Sequence, residues 1–371
     1  MNKKENNLKI IYSGRYSVNE ILSGPELTAR RIFEQHCLRE PSVFIQYFFD
    51  GRKFGLMKKL FGRDEELHER GRVLTLGIFR IIPELRKLKP DIIHLVTFER
   101  FAVIFYLYSL IFKVQIVFNS HGVIQYENKV LKDTPMLYSL KDKFCERIFI
   151  KHSDKIVFPS VNTLNIAGKY YIFEEETAVI LPNGIDDVFF SEKKITGTSN
   201  RPMAVIHHRN ELNNSGMKLL FDTLTTADLP IDVYVVTNSL HKLPENNKIN
   251  FINVNPMMTS ELAEFYRDKD IFLSLNGYDT FSISTAEAMA SGLIPVITTE
   301  TGVSRYIENG VNGFTFDHHF KHDLVKILSD IFNMPADKRA LISISAQDIV
   351  KYLTWHSVYE MYVPIYNGIA E

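Results

Sequence analysis

The sequence predicts an α/β chain organised as two doubly wound, mostly parallel sheets. Three observations carry that expectation. The 371 residues exceed what one hydrophobic core ordinarily serves, so two domains are expected. Short β-branched and aromatic runs alternate with helix-length segments along the whole chain. Most of those runs are apolar nearly throughout, as strands covered on both faces are.

Taken in order, the first series of strands reads "LKIIYSG", "SVFIQYFF", "DIIHLVT", "QIVFNSH", "KIVFPS" and "AVILPNG". The second reads "MAVIHH", "DVYVVTN", "INFINVN", "IFLSLN", "IPVITT" and "GFTF". Between them "SEKKITGTSNRP" is polar, unpatterned and closed by Pro202, which predicts a linker near 186–202. The expected domains are therefore 1–190 and 200–352. In the remainder, 353–371, Trp355, Val358, Tyr359 and Tyr362 recur with helical period and Pro364 interrupts them. A C-terminal helix that crosses back to the first domain fits that pattern. Doubly wound sheets bind ligands at the carboxyl ends of their strands, so two such domains are expected to face a ligand-binding cleft.

Apolar residues make up 45% and charged residues 23%, an ordinary globular composition. A net charge of -1 argues against a nucleic-acid partner. The charge is uneven, however. Residues 1–190 carry 28 Lys and Arg against 23 Asp and Glu, and residues 191–371 carry 15 against 21. The two halves are expected to meet different partners. Cys37 and Cys145 are too few for a disulfide framework and read as free thiols in a reducing compartment. The opening "MNKKENNLKIIYSG" lacks the apolar run of a secretory signal. The longest apolar stretch, "FAVIFYLYSLIF" at 101–112, stops at Lys113, short of the roughly 18–20 residues that span a bilayer, and predicts a buried core helix.

The most informative stretch is "YDTFSISTAEAMASG" at 278–292. It follows the strand "IFLSLN" and reads as a turn and then a helix, with Ser282 or Thr280 as N-cap and Gly292 past the end. The unpaired N–H groups and dipole at such a helix start suit a phosphate. Glu287 lies about five residues in, roughly 7–8 Å along the axis, and Asp279 lies just ahead of the helix. A carboxylate can accept from two adjacent hydroxyls, such as those of a ribose. The layout fits an extended ligand with an anionic middle and a polyol at each end, as in a nucleotide-sugar. Spacing alone leaves open that Glu287 is a solvated helix residue and Asp279 a turn residue.

The block "DTFSISTAEAMASGLIPVITTETGVSRYIENGVNGFTF" resembles the nucleotide-binding region of retaining glycosyltransferases of the GT-B fold, family four. That family carries a carboxylate, seven residues, a Glu, small residues, a "G-x-P-V" and a later "E-x-G-x-x-G". Gly292, Pro295, Val296, Glu308, Gly310 and Gly313 supply these parts here, with one extra residue between Gly292 and Pro295. The resemblance extends more weakly over nearly the whole chain. It implies a GT-B fold of two Rossmann-like domains, the first for the acceptor and the second for a UDP- or GDP-linked sugar, with no cofactor and no metal. It assigns Glu287 to the ribose, Asp279 to the transferred sugar and the helix start at Phe281, Ser282 and Ile283 to the diphosphate.

Departures accompany the match. The first carboxylate is usually Glu, and Thr280 and Ser282 flank Phe281 where Gly is common. The family also places an Arg and a Lys in the first loop of the second domain. Arg209 stands at the matching place after "MAVIHH", but Ser215 replaces the Lys, and Lys218 is nearby and displaced. The pairs His207–His208 and His318–His319 are adjacent residues and make improbable chelates. In the first domain, His121 ends a strand where the family has a His near the reacting carbon. Gly14 and Gly24, in the first loop and at the first helix, would let backbone approach donor or acceptor. "LPNGID" at 181–186 matches a family landmark and reads as a structural turn.

Residues 52–63, "RKFGLMKKLFGR", interleave five cations with Phe54, Leu56, Met57, Leu60 and Phe61. Such a segment fits an anionic membrane surface, a phosphate-bearing acceptor, or a helix packed on its own domain. The function that the resemblance implies is sugar transfer to a hydroxyl of a glycan or lipid-linked glycan, in the cytoplasm or at the inner face of the membrane. Two other readings stay open: a non-catalytic subunit that stabilises a partner enzyme, favoured by the missing Lys and by Asp279 and Thr280 at their positions, and a sugar phosphorylase of the same fold.

Overall fold

The protein is described by a computed structural model covering residues 8–17, 23–48, 54–68, 70–131, 136–190, 202–208, 222–223, 229–237, 248–317, 319 and 321–370. The linker residues 191–201 and the positions Arg209, Ser215 and Lys218 lie outside the described residues. The chain forms two compact units, Met1–Pro182 with Trp355–Glu371, and Asn183–Thr354.

The first unit is built on an eight-stranded sheet. Its strands are β1 (Ile10–Ser13), β2 (Ser42–Tyr47), β3 (Arg63–His68), β4 (Gly71–Leu76), β5 (Ile92–Leu95), β6 (Gln115–Asn119), β7 (Lys155–Phe158) and β8 (Ala178–Ile180), in the order β3-β4-β2-β1-β5-β6-β7-β8. All neighbours are parallel except β3, which runs antiparallel to β4. Alternate residues feed opposite faces. Ile11, Ile93 and Ile116 join one apolar cluster, whereas Ile10, Tyr12, Ile92 and Val117 join the other. The near-continuous apolar runs are thus explained by cover on both sides.

Helices α3 (Ile78–Leu88), α4 (Val103–Phe112), α6 (Met136–His152) and α7 (Val161–Tyr170) contribute to the first cluster, and α1 (Gly24–Arg39) to the second. Helix α1 starts with Pro25 in its first turn, and Glu26 reaches back to the Ser23 N–H at 3.0 Å. Two short helices, α2 (Leu56–Phe61) and α5 (Ile124–Leu131), complete the unit before its last element.

Within the basic segment 52–63, α2 covers 56–61, and Arg63 opens strand β3. Strand β3, "RDEELH", is exposed for five of its six residues, so it has no apolar alternation to announce it. A charged edge strand of this kind resists pairing with other chains. One expectation needs correction: the apolar stretch 101–112 reads as a buried core helix, but α4 is not wholly buried. Phe105, Tyr106 and Tyr108 face the core, but Leu107, Leu110 and Ile111 are 53–70% exposed.

The last helix of the chain, Trp355–Ala370, belongs to this first unit. Trp355, Val358, Tyr359, Tyr362 and Tyr366 are buried in the same cluster as α1 and the strands β1 and β5. The helix runs through Pro364 instead of stopping. An interior proline costs about 3 kcal/mol. Tyr362 on one side of it and Tyr366 on the other are both buried in the same cluster, which offsets that cost. A buried polar network fastens the helix. His94 Nδ1 pairs with the Tyr366 hydroxyl at 2.8 Å and His94 Nε2 with Asn119 Oδ1 at 2.9 Å. The Asn119 amide donates to the Tyr362 hydroxyl at 2.9 Å, and His36 pairs with the Tyr359 hydroxyl at 2.6 Å.

The second unit holds a six-stranded, fully parallel sheet. Its strands are β9 (Met203–His208), β10 (Ile231–Thr237), β11 (Ile249–Val254), β12 (Ile271–Ser274), β13 (Ile294–Thr298) and β14 (Phe314–Phe316), in the order β11-β10-β9-β12-β13-β14. Ala204, Ile206, Ile271 and Leu273 face one cluster, with helix α10 (Lys321–Asn333). Val205 and Phe272 face the other, with α8 (Thr259–Tyr266) and α9 (Ile283–Ala290). Helix α11 (Ala336–Val350) contributes Ile342 to the first of these and Ala346 and Val350 to the second. The final helix, Trp355–Ala370, is α12.

Candidate functional site

In the second unit, β12 leads into the segment 275–282 and then α9. That segment is pinned to residues 299–303, which follow β13. Asp279 bridges Thr301 in parallel, the Gly302 N–H donates to Asp279 O at 2.9 Å, and the Val303 N–H donates to Phe281 O at 2.9 Å. Gly302 is required by this closeness: a Cβ there would lie 2.2 Å from the Thr280 carbonyl oxygen. The Asp279 carboxylate accepts from the Phe281 N–H at 3.2 Å. It is therefore held immediately before the helix.

Ser282 is the residue ahead of α9, with φ 70° and ψ 74°, in the left-handed region. Its hydroxyl bonds the Thr285 hydroxyl at 2.8 Å, so it caps no helical N–H through its side chain. The helix then opens with the backbone N–H groups of Ile283 and Ser284, the usual anion-attracting end. The side chain of Phe281 is only 1% exposed and sits in the core, so it anchors the turn.

Glu287 is buried, 7% exposed, at the fifth position of α9. It lies close enough to Tyr266 that its charge, after burial, pushes the tyrosine hydroxyl well above its usual range. The Tyr266 hydroxyl in turn pairs with His207 Nε2 at 2.8 Å, and the His207 ring packs edge-on against Phe272 at 5.5 Å. The end of β9, the last residue of α8 and the fifth of α9 are thus joined around Glu287. Sequence reasoning missed Tyr266 and set His207 aside as half of an adjacent pair. An aromatic closing a helix and a lone strand-end histidine carry no signal until the fold joins them. Of the other pair, His318 lies outside the described residues, and His319 is an exposed turn residue whose N–H meets Asp317. Among the described residues no cluster could hold a metal ion.

In the first unit, His121 follows β6 in a turn closed by the Ser120 hydroxyl donating to Gly122 O at 2.9 Å. His121 Nε2 is 2.7 Å from Val96 O. A carbonyl only accepts, so Nε2 carries the hydrogen and Nδ1 is left as an acceptor. Burial pushes this imidazole down to about 4, so it is neutral at ordinary pH. His121 lines a pocket of about 290 Å³ at the carboxyl ends of β1, β5 and β6. Gly14, immediately after β1, adjoins it: a Cβ there would lie 2.7 Å from the Thr97 hydroxyl oxygen. Gly24 begins α1 at the pocket's edge, between the lining residues Ser23 and Pro25.

Two doubly wound sheets, with a carboxylate before and another within the helix that follows β12, define a GT-B fold, and solved structures share it. An Anabaena protein, HepE, crystallised with UDP-glucose, matches at a TM-score of 0.73 and 16% identity, over 97% of this chain and 100% of that one. A sucrose-phosphate synthase from Thermosynechococcus elongatus matches at 0.75 and 13%, over 97% and 99%. Among curated relatives, a D-inositol 3-phosphate glycosyltransferase of Paenarthrobacter aurescens is 31% identical over 78 residues, 21% of this chain and 19% of the relative. The match thus spans about a fifth of that relative's length. The family model for glycosyl transferases group 1 matches residues 233–348, and that for glycosyltransferase family 4 matches 59–189. The chain belongs to the group 1 glycosyltransferases of the family-four type.

Proposed function

We infer that the protein transfers a sugar from a UDP- or GDP-linked donor to a hydroxyl of a glycan or lipid-linked glycan, with retention at the anomeric carbon. The observation that carries this reading is Glu287, buried at the fifth position of the helix that follows β12, inside the stretch matched by the group 1 family. In this reading Glu287 grips the ribose hydroxyls. The N–H groups at Ser282 and Ile283, with Arg209 and Lys218, meet the diphosphate, and Asp279 lies by the sugar. A preorganised set of donors lowers the cost of the departing diphosphate, which needs no metal in this scheme. The second unit is then mostly the donor domain and the first, with His121 as a catalytic group, mostly the acceptor domain, where Gly14 and Gly24 let the backbone approach the donor diphosphate or the acceptor. Neutral His121, accepting through Nδ1, suits a hydroxyl near the reacting carbon.

Contact with an anionic membrane surface is part of the same proposal. Leu56 and Met57 of α2 are 71% and 68% exposed, and Phe61, also exposed, stacks on exposed Phe79 at 5.2 Å. Lys59 and Arg80 accompany these groups in sequence, which fits the interface of a charged bilayer.

Calorimetric titration of UDP and GDP tests the donor site. One of them should bind with a Kd in the micromolar range, and Glu287→Ala should weaken it by at least about tenfold, the value of roughly 1.4 kcal/mol. A folded protein that binds neither nucleotide would instead support the non-catalytic subunit.

A further inference from the structure

Tyr266 is fully buried, at 0% exposure, and places a polar group inside an otherwise apolar cluster. Phenylalanine rings fix it on several sides. Phe272 of β12 stands edge-on at 6.0 Å, Phe189 lies at 6.0 Å and Phe265 at 6.2 Å. Phe189 also ties this ring to α9: its carbonyl accepts from the Ser291 hydroxyl at 3.3 Å, one turn beyond Glu287. Ala286 and Ala288, on either side of Glu287, belong to the same cluster as Tyr266. A phenylalanine would fill the same space, so the hydroxyl is the informative part.

That hydroxyl meets His207 Nε2 at 2.8 Å, and it carries one hydrogen. The hydrogen goes either to His207 or away from it. Burial and the charge of Glu287 keep it on the oxygen far above the usual tyrosine range, so the hydroxyl is a donor at any working pH. The same charge sets the direction. A hydrogen given to His207 would leave the oxygen's lone pairs turned toward a buried carboxylate. With His207 Nε2–H donating to the oxygen, the hydroxyl hydrogen is free to face Glu287. Glu287 is 7% exposed, and a carboxylate so far from water is stable only when hydrogen bonds reach it.

We propose that Tyr266 is a positioning residue for the nucleotide's ribose: steadied by His207 Nε2–H, its hydroxyl donates to Glu287 and aims the carboxylate. The inference rests on the ribose role given to Glu287 above. The bond takes one of the carboxylate's acceptor sites and fixes its rotation, leaving the others for the 2′ and 3′ hydroxyls. A carboxylate already oriented loses less freedom when the nucleotide arrives. His207 stands two residues before Arg209 in the sequence. The strand that steadies the ribose carboxylate is thus the one whose following loop is expected to meet the diphosphate.

Calorimetry on the full chain tests this with one nucleoside diphosphate, UDP or GDP, and its 2′,3′-dideoxy analogue. The unaltered protein should favour the ribose form by at least about tenfold, and Glu287→Ala should erase that preference. Tyr266→Phe keeps the ring and should reduce the preference to about threefold or less, with affinity for the dideoxy form within about twofold of the unaltered protein. His207→Leu, which deprives the hydroxyl of its donor, should act in the same direction. Equal weakening of both nucleotides in Tyr266→Phe would mark a merely structural residue and overturn the proposal. So would a full preference retained in either variant. Where Glu287→Ala erases the preference and Tyr266→Phe does not, the donor reading stands and this inference falls. An unaltered protein that binds neither nucleotide, or both alike, removes the two together.

Discussion

Ser282 shows how a single residue records a compromise. At φ 70° it occupies a conformation that costs an L-residue roughly 1–2 kcal/mol and that glycine adopts freely. Its hydroxyl recovers part of that through Thr285. Replacement by glycine should leave stability within about 1 kcal/mol, because lost strain is set against a more flexible unfolded chain and a lost hydroxyl bond. Ser282→Val should destabilise by about 2–3 kcal/mol in urea melts, since a β-branched side chain is poorly accommodated there. The placement of Asp279 just ahead of a helix and of Glu287 within it was legible in the sequence, because turn and helix signals are local facts. The burial of Phe281 was not, since an aromatic in a turn reads equally as ligand contact or anchor. Nor was the closeness of Thr97 to Gly14, more than eighty residues earlier in the chain.

Elements that pack through polar groups carry the pH sensitivity of the fold. His94 and His36 are held neutral by burial, at about 3 and about 4, below their usual 6.5. The unfolded chain therefore takes up protons as pH falls through 6.5, while the folded chain does so only lower. Stability is then full above pH 6.5 and declines toward pH 4, by something on the order of 2–3 kcal/mol for His36 alone. Urea melts at pH 7.5 and pH 5 should show the lower midpoint at pH 5, and His36→Gln should reduce the difference. Tyr366→Phe removes the partner of His94 Nδ1 and should cost about 1–3 kcal/mol at neutral pH, read in the same melts. The helix that carries these tyrosines was legible from its apolar period. Its passage through Pro364 was not, because packing on both sides of the proline outweighs the local rule. Strand β3 was hidden for the opposite reason: an edge strand of charged residues has no buried face to leave a pattern.

At the scale of the molecule, the α/β class was legible because all twelve apolar runs named in the sequence are strands of two sheets, parallel throughout except at β3. The exposure of α4 and α2 was not legible, since an apolar residue in a sequence does not say which side of its helix meets the core. No described helix is long and apolar enough to cross a membrane. The exposed side chains of α2 make a membrane prediction nonetheless. The protein should co-sediment with vesicles containing phosphatidylglycerol and less so with purely zwitterionic ones, and about 0.5 M salt should release it. Leu56→Glu with Met57→Glu should abolish sedimentation while leaving nucleotide binding unchanged. Sedimentation unaffected by those substitutions would remove α2 from the membrane reading.

Helix α12 follows the whole second unit in sequence, yet it completes the unit that the first 182 residues begin. An order of assembly follows. While the polypeptide is being made, the face of the first sheet that α12 covers, with Tyr12 of β1 on it, lacks that cover until α12 has been synthesised. The middle of the chain, by contrast, already has its whole sheet and can fold earlier. Folding of the first unit is thus the later event, and a chain cut off before Trp355 leaves that unit with a missing wall, ready for chaperones or proteases.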